Sequence, residues 1–288
     1  MRPVAATADK DKQLAWEARQ RPRAGFAAVA GALGLVLFFV LQEILARGVP
    51  DTSLIASLQR AVQPGRLDKA PSLQVPIFEY LHDHAVLVLG VGASGLIGYL
   101  GMAWAVAFLA VATHARNPAL PRWAVFLPIA GGGLMGLSVL VFQIGRNQRF
   151  SGFLSSHRTV ADALAPDGTL ITFAKVLGLF GSLTLAAGIV LIALNAMRAG
   201  LLTRFYGVLG IITGAMLVLL PLPIIQIFWL GALAMMFVGV WPGGLPPAWS
   251  AGEAIAWPGG RPRRAPVAPA PPPEPRAPAT KRKRKKRT

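Results

Sequence analysis

Long apolar runs alternate with short polar segments along most of this chain. Four runs are 22 to 29 residues long, and a fifth run of 37 residues contains Pro221 and Pro223. A helix rises about 1.5 Å per residue, so roughly 20 apolar residues cross the hydrocarbon core of a bilayer, about 30 Å thick. The fifth run is too long for one crossing, and each proline removes a backbone donor and disfavours helix in the residue before it. The pattern therefore predicts six spans, at residues 24–46, 85–113, 123–144, 169–197, 205–220 and 224–241.

These spans predict an all-α fold, a six-span transmembrane helical bundle over residues 24–241. Residues 1–23 precede it as a polar arm. Residues 242–288 follow it as a tail that is rich in Pro, Gly and Ala and ends in a run of cations, a composition typical of disordered segments. The longest polar insert, residues 47–84, is too short to form a core of its own.

The distribution of Lys and Arg predicts the orientation of the bundle. With the N-terminus inside, 21 cations lie on the inner side, 7 lie on the outer side and Lys175 falls within a span. Cytoplasmic segments of membrane proteins carry the excess of Lys and Arg. We therefore expect a multi-pass protein of the cell membrane with both termini in the cytoplasm.

The composition excludes an ordinary soluble domain. Charged residues make up 14% of the chain and hydrophobic residues 54%, whereas about a quarter of a soluble domain is charged. The chain has no cysteine, which excludes disulfides, thiol catalysis and cysteine metal sites. The net charge of +17 comes mostly from span-flanking and tail residues, so we do not interpret it as a nucleic-acid surface.

The tail ends in seven consecutive cations. They are Lys281, Arg282, Lys283, Arg284, Lys285, Lys286 and Arg287. Beside a cytoplasmic leaflet such a run attracts anionic lipid, by about 1 kcal/mol per residue at best. We predict that these residues bind anionic lipid. The alternatives are a solvated tail that helps to hold the C-terminus inside and a tail that binds RNA or an acidic protein.

Small residues recur at helix-contact spacing within the spans. Gly90, Ser94 and Gly98 are four residues apart in the second span, and Gly210 and Gly214 are four apart in the fifth. Helices in lipid gain packing energy from close backbone approach at small residues. We expect these positions to mark contacts within one chain, with a dimer interface as the alternative.

Polar residues within the spans point to an outer vestibule. Glu43 and Lys175 lie at similar depth below the outer side, and Gln42, Gln143 and Gln226 lie at comparable levels. Ionisable groups in hydrocarbon usually face a bundle interior or an aqueous cavity. We predict that Glu43 pairs with Lys175 in an outward-facing polar vestibule. In the alternative, the Lys175 side chain extends to the membrane surface, and Glu43 is simply a polar residue at the end of its helix.

The densest group of metal-ligand side chains is Glu79, His82 and Asp83, which share one face of a helix. A carboxylate di-iron site needs two Glu-x-x-His motifs and two further glutamates, and the chain has one such motif. We therefore keep these residues as a possible outer ligand cluster, with polar residues at a helix start as the alternative. No cofactor is predicted.

The stretch Gly92-Ala93-Ser94-Gly95 resembles the Gly-x-Ser-Gly signature of rhomboid intramembrane proteases, which also have a six-span core. The resemblance implies that Ser94 is a nucleophile activated by a histidine of a later span. No span after Ser94 contains a histidine, and His114 is 20 residues further along the same predicted helix, about 30 Å away. We therefore predict no catalytic residue.

Three segments resemble a family of uncharacterised multi-pass membrane proteins of actinobacteria. They are the inner-loop element Thr113-His-Ala-Arg-Asn-Pro-Ala-Leu-Pro-Arg122, the span start Leu-Thr-Arg-Phe-Tyr-Gly207 and the ending Trp241-Pro-Gly-Gly-Leu-Pro-Pro-Ala-Trp249. The resemblance implies no activity.

Three functional hypotheses follow from the sequence. The first is a non-enzymatic membrane scaffold that acts by association with other membrane proteins or through its charged tail. The second is a small-molecule or ion transporter that uses the outer vestibule. The third is an intramembrane serine hydrolase. A transporter predicts a water-accessible cavity lined by the vestibule residues, whereas a scaffold predicts a closed bundle in which those residues are capped or paired.

Overall fold

The structure is a computed structural model that describes residues 4–51, 70–219, 223–241 and 244–255, with side chains from residue 9 onward. These residues form nine α-helices and one short 3₁₀ helix, Arg122–Val125. In chain order the α-helices are α1 Val4–Gly48, α2 Val75–Asp83, α3 Ala85–Arg116, α4 Phe126–Leu154, α5 Val160–Ala163, α6 Thr169–Ala199, α7 Arg204–Leu219, α8 Pro223–Val238 and α9 Pro247–Ala251. The all-α prediction is confirmed, and the predicted tail from residue 256, with Lys281–Arg287, lies outside the described residues.

Four helical segments in the described part of the chain are long and apolar enough to cross a membrane. They are Asp9–Gly48, Ala85–Arg116, Arg122–Leu154 and Thr169–Ala199. The predicted hairpin is present as α7 and α8, but each has 16 residues, about 24 Å, which is shorter than the hydrocarbon core. The chain therefore has four candidate spans and two shorter apolar helices.

Helix α3 lies at the centre of the bundle. Two thirds of its most apolar window is buried, 67%, against 28% to 39% for the other three candidate spans. It packs between α1 and α4; α6 packs on α4, α7 mainly on α6, and α8 mainly on α1. The largest core cluster includes Trp229, Phe237 and Met102 and joins α8 to α3.

Glycines allow α1 and α3 to approach at backbone distance. A Cβ atom on Gly34 would lie 2.7 Å from the Gly98 nitrogen, and a Cβ on Gly101 would lie 2.5 Å from the Ala27 oxygen. A Cβ on Gly214 in α7 would lie 2.9 Å from the Ala186 oxygen of α6. The predicted helix-contact role of Gly98 and Gly214 is confirmed as contact within one chain.

The bundle has two ends, which we name by the segments that meet there. The basal end contains the first turns of α1, the end of α3, the starts of α4 and α7, and α9. The apical end contains the last turns of α1 and α4 together with α2, α5 and the start of α6. At the apical end a second core cluster packs Phe78 of α2 against Phe150 and Phe153 of α4, with ring centroids 5.3 and 4.4 Å apart.

Large apolar side chains cover the outside of the bundle. Phe26, Phe126, Phe180 and Phe228 are among many that are more than half exposed. Soluble monomers rarely expose contiguous apolar surface on this scale, whereas lipid covers it in a membrane protein. The surface thus agrees with the composition in indicating contact with a bilayer.

We predict that replacing Gly101 by Ala destabilises the bundle, because the new methyl group would overlap the α1 backbone. Overpacking of this kind costs about 1–3 kcal/mol. The matched control is Gly133→Ala in α4, where a Cβ would meet nothing within 4 Å. Reversible unfolding in mixed detergent and SDS micelles measures both free energies. Equal values for the two variants would contradict the close α1–α3 packing.

Candidate functional site

A buried ion pair joins α1 to α3 at the basal end. The Arg116 guanidinium donates to both carboxylate oxygens of Glu17, Nη1 to Oε1 at 2.6 Å and Nη2 to Oε2 at 2.7 Å. The Arg116 side chain is 0% exposed and that of Glu17 is 4% exposed. Gln13 donates a further hydrogen bond to Oε1 of Glu17 at 2.9 Å. The pair has the bidentate geometry that gives arginine–carboxylate contacts their strength and direction.

Arg116 also holds the C-terminal segment against the bundle. Its Nε donates to the Ala248 carbonyl at 2.8 Å, and Nη2 donates to the Trp249 carbonyl at 3.3 Å. Nη1 donates to the Ala112 carbonyl of its own helix at 2.9 Å. The guanidinium carbon lies 5.5 Å from the Trp249 ring centroid, within cation–π range. Every guanidinium nitrogen therefore has a partner, which offsets the cost of removing the charge from water.

Trp249 extends this contact to the turn between α6 and α7, to α3 and to α8. Its Nε1 donates to the Leu201 carbonyl at 3.1 Å, and its ring stacks on Phe108 at 5.9 Å and meets Phe237 edge-on at 6.0 Å. Gly200 has φ +77 and a Cβ there would lie 1.8 Å from the Ile255 oxygen, so this helix end requires glycine. We call Glu17, Arg116, Ala248, Trp249 and Gly200 the basal clamp.

The sequence did not predict the basal clamp. Arg116 was counted only as an orientation charge, and Glu17 lay in the polar arm without an assigned role. The available signal was Trp249, since tryptophan in a segment outside the predicted spans suggests packing. Sequence alone cannot supply the partners, because Glu17, Arg116 and Trp249 are about 100 and 130 residues apart.

The apical end holds a second polar cluster around Asp167. Arg149 and Lys175 both donate to the Asp167 carboxylate, one to each oxygen, and Arg149 also donates to the Ala163 carbonyl at 3.1 Å. Arg146 lies 5.5 Å from the Phe150 ring centroid and 3.4 Å from Oε1 of Gln143. The three cations and Asp167 line a pocket of about 240 Å³, which we call the apical pocket. Its other lining residues are Phe78, Phe142, Phe150 and Ile171.

The loop after α4 contacts α2 and the segment before it. Arg158 donates to Glu79 at 2.9 Å, and its own carbonyl accepts from the Ser72 amide at 2.8 Å. Arg158 has φ 57, an uncommon conformation for a residue with a side chain. Thr159 and Asp162 form a capping box that starts α5.

The predicted ion pair between Glu43 and Lys175 is wrong, because each residue pairs with a different partner. Glu43 accepts from Arg47, one helical turn away, at 2.7 Å, and Lys175 donates to Asp167, eight residues earlier. The Lys175 side chain is 59% exposed, so it extends along the surface toward the start of α6. The physical reason is that each residue finds an opposite charge nearby, at the polar helix ends, without crossing the bundle.

The other predicted vestibule residues are not brought together either. Gln42 is exposed on α1. Gln143 is buried, and its Oε1 accepts a hydrogen bond from Arg146, which lines the apical pocket. Gln226 is buried in α8, and its Oε1 has no hydrogen-bond partner among the described residues. Lys175 is the one predicted vestibule residue that lines the apical pocket directly.

The predicted outer ligand cluster is exposed and its members have separate partners. Glu79 pairs with Arg158, and His82 lies 3.4 Å from the Ser151 hydroxyl. Asp83 is exposed at the end of α2. Within the described ranges no group of three or more His, Cys, Asp or Glu residues could hold a metal ion.

Ser94 is buried in α3, and its hydroxyl donates to the Val91 carbonyl at 3.0 Å. In the described part of the chain its hydroxyl makes no hydrogen bond to a histidine. His114 instead contacts the Leu120 carbonyl at the basal end, at 2.7 Å. The activated serine that the rhomboid signature implies is not formed by these side chains.

Comparison of the chain with protein-family models, with curated proteins and with solved structures gave no match.

We predict that Glu17→Gln lowers the free energy of unfolding by about 3 kcal/mol or more, because it leaves the Arg116 charge buried without its counter-ion. The matched control is Glu43→Gln, whose Arg47 pair is exposed, 80% and 60%, and should cost less than about 1 kcal/mol. Unfolding in mixed micelles measures both. A cost for Glu17→Gln no larger than that of the control would contradict a clamp function for the pair.

The Asp167 cluster should be sensitive to acid. The hydrogen bond from Lys175, with the nearby charges of Lys175 and Arg149, lowers the pKa of Asp167 below its ordinary value. A lowered pKa gives stability that is present above the unfolded-state value, about 3.9, and is lost as the pH falls through the folded-state value.

We therefore expect the difference in melting temperature between wild type and Asp167→Asn to be largest near pH 7 and to shrink as the pH falls below about 4. Thermal unfolding in detergent at pH 7, 5, 4 and 3 measures this difference. The control is Asp83→Asn, which removes an exposed carboxylate at the same end. A difference for Asp167→Asn that stays constant with pH would contradict the assignment.

Proposed function

We propose that this chain is a non-enzymatic, multi-pass membrane scaffold that acts by association with partners at its basal end. The observation that carries the proposal is the basal clamp. A buried, fully hydrogen-bonded Arg116 fixes the first turns of α1 and the segment 244–255 to the same helix end. Such an arrangement holds the start of α1 and α9 together on one platform, which suits assembly better than alternating access.

The partners of the polar residues support a closed bundle. Ser138 donates to the Ala174 carbonyl between α4 and α6 at 2.8 Å, and Asn117 donates to Asn195 at 3.0 Å. Glu43, Lys175 and Gln143 each have a partner nearby, and among the described vestibule residues Oε1 of buried Gln226 lacks one. Polar groups satisfied inside a helical bundle specify one packing arrangement and leave few donors free to coordinate a transported solute.

The proposal includes the orientation that the cation distribution favours. The basal end then faces the cytoplasm, and the polybasic residues Lys281–Arg287 of the sequence bind anionic lipid or an acidic partner. The hairpin α7–α8 completes six spans or turns back within the membrane. In both cases α9 stays on the side of the N-terminus.

The three segments that resemble the actinobacterial family lie close together at the basal end. Arg116 comes from the first of these segments and Tyr206 from the second. The third contains Trp241 and Trp249. Tyr206 meets Trp241 edge-on, with ring centroids 4.7 Å apart. If the resemblance reflects common descent, we expect relatives to share this platform and to differ in the tail.

A transporter is the second candidate, and the apical pocket is the observation that favours it. Three cations against one carboxylate would attract an anion to a cavity of about 240 Å³. The pocket lies at the apical end, and Gln226, which the sequence placed in the same vestibule, is not among its lining residues.

The absence of cysteine from the sequence permits a direct test of the two candidates. We predict that single cysteines at Gln143, Ser94 and Gln226 stay unmodified by a membrane-impermeant thiol reagent in intact cells, because all three side chains are buried. A cysteine at exposed Arg158 should react from outside, and one at exposed Arg198 should react only after the membrane is permeabilised.

Reaction at Gln143 and Gln226 from outside would favour the transporter, and reaction at Arg198 in intact cells would overturn the orientation. Photocrosslinking from residues in the tail then tests association itself. A scaffold should give discrete crosslinked proteins that are lost when the seven terminal cations are replaced by Gln. The absence of any such protein, with the chain correctly inserted, would overturn the scaffold proposal.

A further inference from the structure

Two cavities adjoin at the basal end and differ sharply in chemistry. An apolar cavity of about 610 Å³ lies between the lower part of α1, α3 and the start of α4. A second cavity of about 740 Å³ lies between the first turns of α1, the end of α3 and Arg122. Trp16 and Val111 line both, so they are two parts of one feature, which we call the basal groove.

The apolar part of the basal groove has the lining that a hydrocarbon chain requires. Its walls include Leu100, Ala103, Ala107 and Ile129, and the Trp104 side chain at its edge is 58% exposed. Gln20 and Arg23 are the polar residues that also line this part. The walls belong to helices that are candidate membrane spans, so the groove opens where lipid is expected to surround the bundle. Apolar pockets of this size bind small ligands commonly, since such sites hold about 300–1,000 Å³.

The polar part has an excess of positive charge. Lys10, Lys12 and Arg122 line it against a single carboxylate, Asp9, and His114 lies beside them. Lys10 is 3.6 Å from Glu253, whereas Lys12 and Arg122 are exposed and make no ion pair within the part of the chain that the structure describes. Lys12 of α1 and Arg122 of the 3₁₀ helix thus line the same cavity without an ion-pair partner among the described residues, next to the apolar part.

We infer that the basal groove binds one anionic glycerophospholipid of the surrounding leaflet. One acyl chain lies along α3 in the apolar part, and the phosphate lies between Lys12 and Arg122. Basic pockets between membrane helices on the cytoplasmic side recognise anionic headgroups in this way. The inference rests on the membrane placement and orientation proposed above and not on the scaffold function.

Charge and shape together select this occupant. A free phosphate would use the cations but leave the apolar cavity empty, and a zwitterionic phospholipid such as phosphatidylcholine would bring a quaternary ammonium close to Lys12 and Arg122 together with its phosphate. Trp16 lies between the two parts, with its ring stacked on Phe108 at 5.8 Å. Tryptophan is enriched at the boundary between acyl chains and headgroups, where this position places it.

Native mass spectrometry of the full chain in a non-ionic detergent tests the inference. Phosphatidylglycerol and phosphatidylcholine with the same acyl chains are titrated in parallel, with inorganic phosphate as a separate probe. We expect one phosphatidylglycerol to bind about tenfold or more tightly than phosphatidylcholine. The adduct should persist when the seven terminal cations are replaced by Gln, which separates the groove from the tail.

Two variants test the two parts of the groove, each with a matched control. Lys12→Gln with Arg122→Gln should reduce the preference for phosphatidylglycerol to near that of phosphatidylcholine. Arg198→Gln with Arg204→Gln, which removes two exposed cations at the same end, should not. Ala107→Phe should weaken both lipids by filling the apolar part, whereas Ala187→Phe, on the exposed face of α6, should leave both unchanged.

An equal loss of the preference for phosphatidylglycerol in the Arg198 and Arg204 control would show that bulk charge attracts the lipid. Loss of the lipid adduct when the seven terminal cations are replaced would assign the lipid to the tail. Competition by inorganic phosphate at equal concentration would show a simple anion site. Each of these results overturns the inference. Melting temperatures without added lipid confirm that every variant is folded. The scaffold proposal fails separately, in the crosslinking and cysteine experiments, which do not depend on a bound lipid.

Discussion

The arrangement of this protein depends on one buried charge. Arg116 ends the central helix, and its guanidinium is removed from water completely. An arginine in that position is tolerable only if each donor has an acceptor, and the acceptors come from α1, α3 and the segment 244–255. Satisfying one side chain therefore fixes three segments that are far apart in sequence. The ion pairs described at the apical end, Arg149 with Asp167 and Arg158 with Glu79, are partly exposed and leave no charge fully buried.

Packing within the candidate membrane region follows a different principle. Between apolar helices in lipid the hydrophobic effect gives little attraction, so contact depends on how closely backbones can approach. Gly34, Gly98 and Gly101 bring α1 against α3 at a distance that no larger residue would allow. The glycine contacts position α1 beside α3, and the Glu17–Arg116 pair fixes the register of the two helices. Together they build the two walls of the basal groove.

The chemistry of the two ends is consequently unequal. The apical pocket is small, and Asp167 already neutralises part of its positive charge. The basal groove is larger, contains an apolar part and is lined by three exposed cations, Lys12, Arg23 and Arg122, that have no ion pair among the described residues. A bound anionic lipid would complete the charge balance beside the clamp. Such a lipid would couple the membrane composition to the basal clamp.

The sequence by itself determined the helical class, the positions of the long apolar helices and the separation of α7 from α8, because hydropathy and proline act locally. Small residues at spacing four also predicted helix contact correctly, since the requirement for close approach leaves a local pattern. The partners of charged residues were decided only by tertiary structure. Glu43 and Lys175 matched in depth but found nearer partners, and Glu17 met Arg116 across 99 residues. Side-chain pairing depends on which helix faces lie together, and the linear order of the chain does not contain that information.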